Sequence, residues 1–229
     1  MYISLMSLPS QPASQLQAIA KQIHRICFEG TILHTPPVII AASKSQSAQA
    51  IEDLIAQGIT HFGENRVQEA QEKWPAIMAR HPDIILHLIG PMQSNKVADA
   101  IALFDVIETI DRKKIADAVA SESKKQGKQP ICLIQVNIGD EPQKSGVALS
   151  EADDFIHYCR DTAQLRIHGL MCVPPAKSHP APYFALLRHI AERHGLHTLS
   201  MGMSGDYEEA LRMGATQLRL GTALFGQRV

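Results

Sequence analysis

No charge sign dominates this sequence: 22 Lys plus Arg stand against 23 Asp plus Glu, a formal net charge of −1. That balance argues against a dedicated nucleic-acid binder, which needs a cationic face for phosphates. Cysteine is sparse. Cys27, Cys132, Cys159 and Cys172 are scattered and never form a CxxC pair, a usage that suits a reducing cytoplasm, where the protein is expected to reside. The 11 histidines contain no HxH or HExxH spacing, so no metal site is expected. No low-complexity tract or Pro/Gly-rich linker divides the 229 residues, and one domain is expected over residues 14–229. The opening MYISLMSLPS lacks a basic n-region and soon meets Pro9. It reads as neither a signal peptide nor a membrane span, and a loose arm is expected over residues 1–13.

What is present is 45% hydrophobic residues, too many for a disordered chain, in a repeating arrangement. After a first helix expected over 15–27, short β-branched runs alternate with amphipathic segments. The runs are PVIIAASK (37–44), THFGE (60–64), IILHLIG (84–90), VIETI (106–110), ICLIQVN (131–137), LRIHGLMCV (165–173), HTLSMG (197–202) and TQLRLGTALFG (216–226). Between them, Ile51, Leu54 and Ile55 form a helical stripe that Gly58 ends, and Phe184, Leu187 and Ala191 form another that Gly195 ends. Asp111 is placed to cap a helix carrying Ile115, Ala118 and Val119. Eight buried-type strands alternating with helices imply parallel β-structure, as a closed barrel or a doubly wound sheet, and eight equal units favour the barrel. The fold class expected is α/β: a single TIM-like (β/α)8 barrel with an extra N-terminal helix and no C-terminal β domain. The last helix is nearly missing, and the N-terminal helix could cover that side.

Barrel chemistry sits at the carboxyl ends of the strands, and here those ends are polar or Gly-rich while the strand bodies are apolar. Lys44 ends the first run. A lysine at the mouth of an apolar barrel is the kind of amine Schiff-base chemistry uses, because desolvation favours the uncharged form; the plain alternative is a side chain that snorkels to solvent. The last two runs end in MGMSGD and LGT, whose Ser204, Gly205, Gly221 and Thr222 could cradle a phosphate. Asp206, Glu208 and Glu209 crowd the same place and could instead serve the helix dipole. A strand-one lysine with a phosphate cradle suggests pyridoxal 5′-phosphate, although a phosphosugar enzyme with a Schiff-base lysine offers similar parts. Arg219 separates the two readings, since it stands just before the Gly221–Thr222 turn, where a pyridine nitrogen could lie.

The blocks IIAASKSQSAQAIEDLIAQGITHFGENRVQEAQEKWP, LHLIGPMQSNK, LIQVNIGDEPQKSGV, LRIHGLMCVPP and LSMGMSGDYEEALRMGATQLRLGTALFGQR resemble the pyridoxal phosphate homeostasis protein family, from about Val38 to the carboxyl terminus. That family resembles the barrel domain of alanine racemase. The resemblance implies a Schiff base at Lys44, phosphate contacts from Ser204, Gly221 and Thr222, Arg219 facing the pyridine nitrogen, and Asn65 and His87 lining the pocket. Ala42, Arg66, Leu86 and Leu88 depart from the usual family residues, and none of them removes a cofactor contact.

Each of these residues has a plainer role available. Asn65 could cap the helix that follows it, His87 could be a satisfied core histidine, and Arg219 could pair with a carboxylate. Cys172 reads as a buried structural thiol, and Gln143–Gly146 as a flexible loop, with a rim around the site as the alternative. Two functions follow. One is a carrier that buffers or supplies pyridoxal 5′-phosphate, serves apoenzymes that need it, works as a monomer, and engages neither nucleic acid nor membrane. The other is an amino-acid racemase or lyase. Fold-type III enzymes add a β domain over the open face of the cofactor, and a cation at the pyridine nitrogen weakens the electron sink. The carrier is therefore expected, with no catalytic residue assigned.

Overall fold

The computed structural model describes residues 15–29 and 35–226, so the arm expected over 1–13 lies outside the described residues. The chain enters through α1 (Gln15–His24), which continues as a π-helical turn over Arg25–Glu29. Alternation then begins with β1 (Val38–Ala42), α2 (Ala48–Ala56), β2 (His61–Glu64), α3 (Val67–Met78), β3 (Ile85–Leu88), α4 (Val97–Leu103) and β4 (Val106–Ile110). It proceeds through α5 (Lys113–Gln126), β5 (Ile131–Asn137), the two-residue β6 (Val147–Ala148), α6 (Ala152–His157) and β7 (Ile167–Cys172). α7 (Ala181–Arg193), β8 (Thr198–Met203), α8 (Tyr207–Arg212), β9 (Gln217–Leu220) and α9 (Thr222–Phe225) complete it.

All pairings are parallel. β1 lies between β2 and β9, with Ile40 opposite both His61 and Arg219. The order β4-β3-β2-β1-β9-β8-β7-β5, with a further β4–β5 pairing, closes a ring of eight strands, to which β6 adds as a short flank on β5. This is the TIM-like (β/α)8 barrel expected. The N-terminal helix packs on α9, and its π-turn packs on α8, so it clads the side where the last helix is one turn long.

Local chemistry explains the elements. Ser47 caps α2 by accepting from the Ala50 amide at 3.2 Å, and Ile51 and Leu54 bury its inner face. Trp74 of α3 is fully buried against Phe62 of β2, with ring centroids 5.1 Å apart. All four cysteines are buried and free.

Three local expectations are corrected. The run 216–226 is strand only to Leu220; after Gly221, residues Thr222–Phe225 make a helical turn. Asp111 does not cap α5, because that helix begins one residue too late for it; Arg112 holds the cap position, and Asp111 accepts from the Arg112 guanidinium at 2.6 Å. The segment around Gln143–Gly146 is held rather than free. The Gln135 amide donates to the Ser145 carbonyl at 3.1 Å, and Asn137 exchanges two hydrogen bonds with Glu141. Gly146 sits at φ +126°, where a Cβ would strike the backbone of Val136 and Asn137, so only glycine lets the segment lie against β5.

Candidate functional site

Strand alternation decides what faces the barrel interior. A Cβ on Gly63 would meet Ile40, which puts both on the inner face, and register then sets His87, opposite Gly63, inside as well. On β1 the same parity gives Ile40 and Ala42. Lys44 comes next, at the carboxyl edge, half-buried in the turn after the strand. Among the described residues its amine has no hydrogen-bond or ion-pair partner.

The turn that carries Lys44 is clamped to α3. Ser43 on its amino side donates its hydroxyl to Glu64 at 2.7 Å, and its carbonyl accepts from Lys73 at 3.0 Å. Glu64 is fully buried and also receives Trp74 Nε1 at 3.0 Å and Lys73 Nζ at 2.7 Å. On the other side of Lys44, Ser45 is in the left-handed region at φ +60°, and its amide donates to Glu69 at 2.5 Å. Both neighbours of Lys44 are thereby tied to one helix.

Beside β1, at the ends of the neighbouring β9 and β8, the Ser204 hydroxyl accepts from the Gly221 amide at 3.3 Å and from the Ala223 amide at 3.1 Å. Two backbone donors from the β9–α9 turn thus converge on one oxygen. Thr222 between them is exposed, and a Cβ on Gly205 would meet nothing within 4 Å. With both amides directed at Ser204 Oγ, its own hydroxyl proton and that of Thr222 are neutral donors that suit a phosphate oxygen in the open space at Gly205. The acids that crowd this stretch have other partners. Asp206 accepts from the Met203 amide at 2.6 Å, Glu208 pairs with Gln22 and Arg212, and Glu209 lies 3.6 Å from His179.

A cavity of about 240 Å³ opens at the carboxyl ends of β2, β3, β5 and β7; Lys44 and the Ser204 and Gly221 turns are not among its lining residues. Its wall includes Asn65, Gly90, Gln135, Asn137 and Met171, with Lys144 and Ser145 brought in by the segment before β6. Asn65 therefore faces the cavity; Arg66, not Asn65, is the N-cap residue of α3. The wall is tight here, since a Cβ on Gly90 would collide with the Asn65 backbone. Lys144 donates to the Pro174 carbonyl at 2.8 Å and pairs with Glu141 at 2.5 Å. Lys144 and Ser145 belong to the Gln143–Gly146 segment that the sequence offered as a rim of the site, and both line this cavity.

Beneath the mouth is a buried polar chain. His61 Nδ1 lies 2.9 Å from His87 Nε2, and His87 Nδ1 lies 2.8 Å from Glu108 Oε1. Ser200 donates to Glu108 Oε2 at 2.6 Å, and one guanidinium nitrogen of Arg219 donates to the Ser200 hydroxyl and carbonyl, each at 2.7 Å. The other terminal nitrogen donates to the Cys172 carbonyl at 2.7 Å. His87 is thus enclosed in the barrel, both ring nitrogens engaged, rather than on the cavity wall. Arg219 does pair with a carboxylate, 3.9 Å away. Burial pushes the Glu108 carboxyl up, but the His87 hydrogen bond and charge, Arg219 and Ser200 outweigh it and hold the group below the usual carboxylate range. Burial, with His87 beside it, pulls His61 down to about 4 against a smaller opposing effect of Glu108. Burial pushes the Cys172 thiol up to about 12, which leaves no thiolate nucleophile there.

Comparison with known proteins finds relatives of the whole barrel. Residues 14–229 match the family model of the alanine racemase N-terminal domain. A pyridoxal phosphate homeostasis protein of Haemophilus influenzae is 34% identical over 224 residues, covering 93% of this chain and 94% of that one. PipY of Synechococcus elongatus PCC7942, solved without PLP, is 33% identical with a TM-score of 0.83, covering 94% of this chain and 100% of PipY. The structure of PipY with PLP bound has a TM-score of 0.76 at 33% identity, covering 90% and 100% of the two chains.

Proposed function

The chain belongs to the alanine racemase N-terminal domain family and, within it, to the pyridoxal phosphate homeostasis proteins, and from that premise we propose that it binds pyridoxal 5′-phosphate and buffers or supplies it without substantial turnover of amino acids. The observation that carries the reading is the pairing of an unpartnered Lys44 amine, on a clamped turn, with a set of neutral donors at the ends of the neighbouring β9 and β8. The donor set fits the group: the Ser204 hydroxyl, fixed by the Gly221 and Ala223 amides, with that of Thr222 for a phosphate, open space at Gly205, and Arg219 behind them for the ring nitrogen.

When bound, the group supplies an aldehyde that condenses reversibly with primary amines and a ring that accepts electrons. In this reading Lys44 holds it as a Schiff base, Asn65 orients it from the cavity wall, and His87 supports the interior. The carrier role rests on what surrounds Lys44. Proton transfer on the face opposite Lys44 requires an acid or base within about 2.6–3.2 Å of the reacting proton. The described tyrosines sit in helical segments, Tyr158 bonded to Asp117, and Cys172 is fixed as a thiol. Free buried cysteines suit a reducing cytoplasm. Phe28 and Met203 are the only exposed large hydrophobics among the described residues, which suits a monomer that hands its cargo to apoenzymes through transient encounters.

The test is borohydride reduction of the cofactor-loaded protein followed by peptide mapping. The label is expected on Lys44; a label on Lys96 or Lys114 with Lys44 free overturns the assignment. Incubation of the same loaded protein with L-alanine in deuterium oxide is expected to give no accumulation of the D-enantiomer, and rapid accumulation would replace the carrier with an enzyme.

A further inference from the structure

Inside the barrel, one carboxylate is built into the surroundings of Arg219 in a way that the fold alone does not require. Glu108 is 0% exposed and Arg219 5% exposed. A buried ion pair of this kind is a poor source of stability, because desolvating both charges offsets their attraction. It is useful where a charge must be held in one place. Both Glu108 oxygens are taken, one by His87 and one by Ser200, so the carboxylate cannot rotate away. The Ser200 hydroxyl stands between the two charges, donating to Glu108 and accepting from Arg219. The strand register shifts between Ser200 and Met203 where β8 meets β9, and the Ser200 carbonyl accepts from Arg219. With the Cys172 carbonyl, three of the five guanidinium N–H donors are directed into protein acceptors. The remaining donors have no protein acceptor among the described residues. Arg219 itself leads through Leu220 into the Gly221 turn, whose amide belongs to the donor set around Ser204.

Resting on the reading of the site as a pyridoxal 5′-phosphate site, we propose that Glu108 is the positioning residue of Arg219: through Ser200 it fixes the guanidinium at the place where the ring nitrogen of the cofactor is read. Glu108 does not touch the ligand. It acts on which ligand is preferred.

The experiment compares binding of pyridoxal 5′-phosphate with that of its analogue in which the ring nitrogen is replaced by a C–H group, measured by fluorescence or absorbance titration of wild type and of Glu108→Gln. Wild type is expected to prefer the natural ligand, and Glu108→Gln to lose that preference by on the order of tenfold, as a misdirected charge-assisted hydrogen bond would. A merely structural role weakens both ligands alike, and that result overturns the proposal, as does an unchanged preference. If Glu108→Gln does not fold, Ser200→Ala carries the same comparison, because it removes the bridging hydroxyl and leaves both charges in place; the same loss of preference is expected. A wild type that binds both ligands equally overturns the positioning role and leaves the cofactor reading standing. A wild type that binds neither sinks the cofactor reading itself.

Discussion

His61 opens β2 and hands its Nδ1 to His87, and its basicity is low because a charged ring there would be both poorly hydrated and next to His87. A folded-state value of about 4 against an unfolded value of 6.5 means that the unfolded chain binds the proton first. Stability from this group is therefore complete above about 6.5 and lost as pH falls towards 4, by up to about 3 kcal/mol. In His61→Gln, urea unfolding followed across that window is expected to show a flatter pH dependence than wild type. An identical slope in both proteins would place the acid sensitivity elsewhere. Glu108 does not confuse the result, since its lowered value moves its own loss of stability to more acid conditions. Cys172 illustrates the opposite case of a residue whose role the sequence made plain: it reads there as a buried structural thiol, and burial drives it up to about 12.

At the scale of elements, the turn after β1 depends on α3 for its shape. Lys73, 11% exposed, is the cation that faces the enclosed Glu64, and it also grips the Ser43 carbonyl. Replacing Lys73 by Met leaves a carboxylate in the interior without its counter-charge, and a loss of about 3–5 kcal/mol is expected in urea unfolding. Adding Glu64→Gln to that variant should restore most of the loss; a double variant no better than the single one would show that the charge was not the problem. None of this clamp was legible in the sequence. FGEN and QEKW give no sign of it, because nothing local says that a helix lies over a particular strand. The strands themselves were legible, since β-branched runs such as ICLIQVN can hardly be anything else in a chain that alternates so evenly. The eighth run failed at Gly221: TALF is apolar enough to continue a strand, and only the turn at Gly221 ends it. Glu108 was hidden for a different reason. In VIETI its parity is visible, but its partner Ser200 is 92 positions away, and only ring closure brings them together.

The whole molecule couples the site to stability. A ligand that binds only the folded barrel at a concentration a hundredfold above its Kd adds about 2.7 kcal/mol. Thermal unfolding is expected to shift upward with pyridoxal 5′-phosphate and to shift less in Lys44→Ala, which keeps the phosphate donors but lacks the amine. A shift of equal size in both would mean that Lys44 contributes nothing to holding the group. Inorganic phosphate alone should give a smaller effect than the full ligand in wild type.

Ring closure has one more consequence, for how copies of the chain behave towards one another. A strand at the margin of a sheet offers unpaired amides and carbonyls to any neighbouring chain, and natural proteins must blunt that offer. Here each of the eight ring strands is paired on both sides, and among the described residues the strand left with an open flank is β6, two residues long. Such a stub is too short to template a growing intermolecular sheet. The same strands laid out flat would carry two long apolar margins, so the closed topology itself guards a crowded, protein-rich solution against cross-chain β-assembly.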